Sequence, residues 1–120
     1  MNFFCSTCVI KPLAPTEWIA CGTESPVNIV FELLVRAKQT SQEFVWKRST
    51  SANVSMYELT IKKDEERAAT YDVCDKDQVN DIYCRGEVTF VPPDFHFEEG
   101  TKYKINVYRL DHMHNMHMAN

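Results

Sequence analysis

From Lys102 to Leu110 the chain alternates residue by residue. Tyr103, Ile105, Val107 and Arg109 share one face, with Lys104, Asn106, Tyr108 and Leu110 on the other. A period of two is the repeat of a β-strand with one buried face. It recurs along the chain. Val27, Ile29, Phe31, Leu33 and Val35 alternate against Asn28, Val30, Glu32, Leu34 and Arg36. Tyr57, Leu59 and Ile61 alternate against Glu58, Thr60 and Lys62, and Glu87 to Val91 alternates again. No stretch sustains a helical stripe over three or four turns, so the expectation is an all-β domain.

Shorter signals order the remaining segments. Phe44-Val45-Trp46 is a compact apolar run, and the small polar residues from Ser49 to Ser55 predict a turn. The mixed charges Lys63-Asp64-Glu65-Glu66-Arg67 predict a solvated hairpin connection, with Ala68 to Val73 as its returning strand. Pro92-Pro93 interrupts the next ladder because proline has no N–H to donate. Phe95 and Phe97 follow on one face of an edge segment, ahead of the turn Glu98-Glu99-Gly100-Thr101. The segment 27–36 is apolar on one face and partly apolar on the other, which suits the middle of a sandwich or the wall of an internal cavity. The 120 residues, 44% hydrophobic and 25% charged, are enough for one core. The expected division is a domain over 1–110 and a flexible His/Met-rich tail over 111–120.

Cys74 and Cys84 bracket a polar, acidic segment that cannot itself pack in a core, which predicts a disulfide-closed surface loop. Five cysteines, at 5, 8, 21, 74 and 84, are an odd number, so one is left over. Cys5-Ser-Thr-Cys8 has the C-x-x-C spacing but no second such pair and no nearby His, so it does not read as a zinc or redox site. Asn53-Val54-Ser55 is an N-glycosylation sequon in a polar stretch. Cysteine usage and sequon together predict an extracellular, secreted glycoprotein. The opening residues lack the basic flank and apolar core of a signal peptide, which would then be missing from this sequence.

Several function classes drop out. A formal charge of −4 and a pI near 5.5 give no general attraction to nucleic acid. No apolar run reaches the length of a membrane span. Phosphate loops, nucleophile elbows and zinc-protease motifs are absent and there are only three glycines, so neither an enzyme nor a cofactor is expected. Asp75, Asp77 and Asp81 lack the glycine and terminal glutamate of a calcium loop. His112, His114 and His117 lie in a tail that offers no preorganised geometry, so no metal is assigned.

The stretch Tyr57 to Tyr108 resembles the ML lipid-recognition domains, a family that includes a lipopolysaccharide co-receptor of a Toll-like receptor, its lymphocyte paralogue and lysosomal lipid carriers. A strand, a charged hairpin and a second strand lead into Val73-Cys74. Nine residues separate this from Cys84-Arg85-Gly86-Glu87-Val88, and Phe97-Glu98-Glu99-Gly100-Thr101-Lys102-Tyr103-Lys104 follows. The resemblance implies an immunoglobulin-like two-sheet β-sandwich with an internal apolar cavity that holds acyl chains or sterols. Ile29, Phe31, Leu33, Tyr57, Leu59, Ile61, Val88 and Phe90 would line it. Phe95 and Phe97 would lie on the entrance strand, with Arg85, Lys102 and Lys104 at the pocket rim. It also implies a Cys8–Cys21 bridge beside Cys74–Cys84.

Where the lipopolysaccharide co-receptor carries lysines near the mouth, this chain has Glu98 and Glu99. The family's last strand, with the cysteine that pairs with the first, has no counterpart in 111–120, which would leave Cys5 as the orphan. The partners implied are a lipid or glycolipid and a leucine-rich-repeat receptor ectodomain, and the role is lipopolysaccharide or lipid co-reception in innate immunity. The alternative is a fibronectin-type or immunoglobulin-like interaction module without a lipid pocket, because Glu99 to Val107 also resembles the strand-opening tyrosine of such modules.

Overall fold

The computed structural model describes residues 8–12, 20–25, 28–51, 53–75, 82–111 and 113; for 8–12 and 20–21 this covers the backbone alone. Nine strands follow in chain order: β1 (Cys8–Pro12), β2 (Ala20–Cys21), β3 (Thr23–Glu24), β4 (Asn28–Leu34), β5 (Gln42–Lys47), β6 (Met56–Lys63), β7 (Glu66–Val73), β8 (Glu87–Phe90) and β9 (Lys102–Leu110). The only helical element among the described residues is a 3-10 turn, Ile82–Cys84. The strands form two antiparallel sheets, ordered β2-β1-β5-β8 and β3-β4-β9-β6-β7. The two sheets share one apolar core, the arrangement of a β-sandwich.

Alternation decides which side chains meet in that core. In β4, Ile29, Phe31 and Leu33 are buried while Glu32 and Leu34 are exposed. In β9, Tyr103, Ile105, Val107 and Arg109 are all buried. β9 lies between β4 and β6, with Phe31 opposite Ile105 and Ile105 opposite Ile61, so three strands present one continuous apolar row. From the other sheet, Phe44, Trp46 and Val88 complete the layer.

The expected hairpin at 63–67 is present, with Asp64 and Glu65 at φ 51° and 67°. Positive φ at both central residues is the turn geometry that matches strand twist; Asp64 suits it, whereas Glu65 adopts it at a cost. The structure differs from expectation on β6, which reads as half-solvated. Thr60 is 2% exposed because β7 and β9 flank it, with Thr70 and Asn106 as its cross-strand neighbours. Asn106 is covered in turn, and its side-chain oxygen accepts from the Asn28 amide at 3.0 Å.

The segment expected as an entrance strand is not one: residues 95–98 adopt no strand. Proline at 92 and 93 removes two ladder donors, and Asp94 at φ 57° turns the chain away. Cys74 and Cys84 form the expected disulfide, with Cα atoms 5.7 Å apart. The expected Cys8–Cys21 bridge, Cys5, Asp77, Asp81 and the tail histidines lie outside the described residues, as do all of residues 114–120.

Candidate functional site

The apolar residues singled out above converge on the space between the sheets. Ile29, Phe31, Leu33, Tyr57, Leu59, Ile61 and Val88 are all buried in one cluster, with Phe90 and Phe95 half-buried against it. Aromatic rings bridge the two sheets. Phe31 on β4 meets Phe44 on β5 edge-on at 5.4 Å between centroids, and Trp46 on β5 meets Tyr57 on β6 at 5.5 Å. Such edge-to-face pairs suit the ring quadrupoles.

From Phe44 a chain of rings runs outward. Phe97 lies 6.1 Å from Phe44, Tyr103 5.1 Å from Phe97, and half-buried Phe95 4.7 Å from Phe97. Thus Phe95 and Phe97 close one end of the inter-sheet space as a plug, not as a strand. Its backbone is anchored by the Phe97 N–H, which donates to Thr40 O at 2.9 Å, and by the Glu98 N–H, which donates to the Tyr103 hydroxyl at 2.9 Å.

The plug's acidic flank is engaged internally. Glu98 pairs with Lys63 at 2.7 Å, which holds its carboxyl below the usual carboxylate range and raises the Lys63 ammonium above the usual lysine value. Glu99 accepts from the Lys38 backbone N–H at 2.9 Å. The two acids therefore act as anchors of the 95–101 segment.

The opposite end is polar and closed. Arg109, 3% exposed, donates to Ser25 O at 2.6 Å and pairs with Glu24 at 2.8 Å. The Tyr57 hydroxyl accepts from the Ser49 N–H at 2.7 Å, and burial raises the Tyr57 pKa despite that bond and the nearby Arg48 and Arg109 charges. Arg109 gives no sequence signal, since the strand pattern places it on the apolar face without naming a partner. Glu24 is 85 residues away.

Of the three cations assigned to a rim, Arg85 lies apart from Lys102 and Lys104. Arg85 is exposed next to β8's start, where Glu87 lies across the ladder from Lys47, whereas Phe90 lies across from Phe44 at the other end. Lys102 and Lys104 alternate with buried Tyr103 and so face outward from the five-stranded sheet. There they line an open cleft of about 600 Å3 with Glu32, Leu33, Leu34, Lys62, Asp64, Glu65 and Tyr103. Asn53 is exposed.

Among the described residues there is no group of three metal-ligating side chains, and no helix long and apolar enough to cross a membrane. Comparisons with protein-family models, with curated proteins and with solved structures return no match.

Proposed function

We propose that the chain is an extracellular, non-enzymatic lipid-binding protein that takes an acyl chain between its two sheets, beside Phe95 and Phe97. The supporting observation is the aromatic plug. The largely apolar inter-sheet space ends at a segment that belongs to no ladder and packs by ring contacts. Displacing two rings opens a path there without breaking a strand pair. An acyl chain gains up to about 0.8 kcal/mol per methylene moved out of water, which offsets the rings' exposure only for a chain of several carbons. The resemblance over Tyr57 to Tyr108 extends this reading to a lipopolysaccharide or lipid co-receptor that presents its cargo to a leucine-rich-repeat ectodomain.

A second reading follows from how the interior is filled. Phe31, Phe44, Trp46, Leu59, Ile61 and Val88 are each 0% exposed, so none borders a space that a water molecule enters. A solid core of this kind favours an immunoglobulin-like or fibronectin-like interaction module, since a preformed lipid pocket spans several hundred Å3. Organic extraction and mass spectrometry of the folded protein, with titration of a fluorescent fatty acid, separate the two. Recovered lipid or saturable binding that Phe97→Trp alters supports the lipid reading. Lipid-free protein that leaves the probe unbound sinks it.

A further inference from the structure

Buried polar side-chain atoms in a folded protein nearly always have a hydrogen-bond partner. Among the described residues three have none: Gln39 Oε1, Gln42 Oε1 and Trp46 Nε1. Gln42 is 0% exposed although it is polar. It opens β5 in phase with Phe44 and Trp46, so its side chain enters the space between the sheets. The chain itself decides which way its amide points. Gln42 Nε2 donates to the Gln39 carbonyl oxygen, and exchanging the two ends of the amide would set oxygen against oxygen. Gln42 Oε1 is therefore a buried acceptor that no donor among the described residues meets.

Its position ties that acceptor to the aromatic plug. Two residues before Gln42, the Thr40 carbonyl holds the Phe97 N–H; two residues after it, the Phe44 ring meets the Phe97 ring. The connection from β4 to β5 runs beside the plug segment, and Val35, Lys38 and Thr40 each hydrogen-bond to it. Gln39, the second orphaned acceptor, belongs to the same connection. A group that fits against a buried, unmet acceptor is one that donates. A hydroxyl is the smallest such group and brings no charge that must be stripped of water.

We propose that Gln42 fixes the head of the bound lipid and selects a single-chain lipid that ends in a neutral hydroxyl. The inference rests on the lipid reading above and names which lipid that site takes. The hydroxyl donates to Gln42 Oε1 below the plug, and the carbon chain lies between the sheets against Phe44. An ionised carboxylate or phosphate has no proton to give there: its lone pairs face the amide oxygen and its charge loses water. An ether occupies the same room but leaves Gln42 Oε1 unmet. The hydroxyl is thus the feature that the site reads, and the chain supplies the burial.

Competition between 1-dodecanol and its methyl ether tests the proposal. The folded chain is offered an equimolar excess of both, separated from free lipid by gel filtration and extracted, and the bound lipids are measured by gas chromatography. The ether is the more apolar of the two, so burial alone favours it. The wild-type chain holds the alcohol in preference, at least about fivefold, and prefers it over ionised dodecanoate as well. Gln42→Met keeps the length of the side chain but removes the acceptor, and it brings the alcohol-to-ether ratio to one or below. A wild-type chain that takes up lipid but holds the ether or dodecanoate as well as the alcohol overturns this inference and leaves the lipid reading standing. An alcohol preference that survives in a folded Gln42→Met chain overturns the role of Gln42, and uptake of no probe overturns both readings. The wild-type comparison decides the matter even where the variant fails to fold.

Discussion

Two of the connections that cross between the sheets, the one into β8 and the one out of it, are held in opposite ways. Residues 74–86 carry the chain from β7 to β8 and are closed by the Cys74–Cys84 bond. Residues 91–101 carry it back from β8 to β9 with no covalent tie. Many weak contacts hold them instead: the Phe95 and Phe97 rings, Tyr71 Oη donating to Pro93 O at 3.2 Å, Gly100 N–H donating to Val35 O at 2.7 Å, and the Lys63–Glu98 pair. A covalent clamp opens only by chemistry, whereas a set of weak contacts opens by a thermal fluctuation. Of the two, 91–101 is the connection that weak contacts alone hold.

Four measurements break or sharpen that contrast. Phe97→Ala leaves a cavity under the plug and lowers stability by about 3–5 kcal/mol, read from urea unfolding. A loss under about 1 kcal/mol would mean that the plug does not seal the core. Replacing Cys74 and Cys84 by Ala returns loop entropy to the unfolded chain and lowers stability by about 2–3 kcal/mol. Hydrogen exchange on 91–101 should stay unchanged in that variant; faster exchange there would show that the two connections are coupled. Tyr103→Phe deprives the Glu98 N–H of its acceptor and costs about 1 kcal/mol, with exchange accelerated at 97–101.

The smallest effect comes from Lys63→Met, because the Lys63–Glu98 pair is exposed and screened by water. Its pH dependence carries the information. The Glu98 carboxyl is held low in the folded chain, so its contribution is complete above the ordinary carboxylate pKa and is lost as pH falls through the lowered value. The Lys63 ammonium is held high, so its contribution is complete below the ordinary lysine pKa and is lost as pH rises through the raised value. The difference in Tm between wild type and Lys63→Met therefore forms a plateau between those limits and vanishes in acid. A pH-independent difference would assign the effect to packing.

Much of this architecture is readable from alternation. Residues 28–34 sort correctly into two faces, and the inner side of 102–110 is legible too, because each strand's inner side must pack against the opposite sheet. The hairpin and the Cys74–Cys84 bracket are also legible, since turn chemistry and loop closure are local. The burial of Thr60 and Asn106 is not legible. Their side chains lie on the polar outer face and are flanked on both sides by neighbouring strands, an arrangement that the local pattern does not encode.

The lining residues of the candidate site are predictable as a set from their shared face. The role of Glu98 is not, because its partner Lys63 is 35 residues away. The outward placement of Lys102 and Lys104 follows from their phase relative to Tyr103, whereas resemblance alone suggests a pocket rim.

The position of β9 between β4 and β6 also bears on how the chain is made. Until residues 102–110 leave the ribosome, β4 and the β6–β7 hairpin each present an unpaired edge, and Phe31 and Ile61 lack the side chain that covers both, Ile105. Closure of that sheet spans most of the sequence, which slows folding and prolongs the exposure of sticky edges during synthesis. Until the central strand arrives, those two edges are open to pairing with other chains.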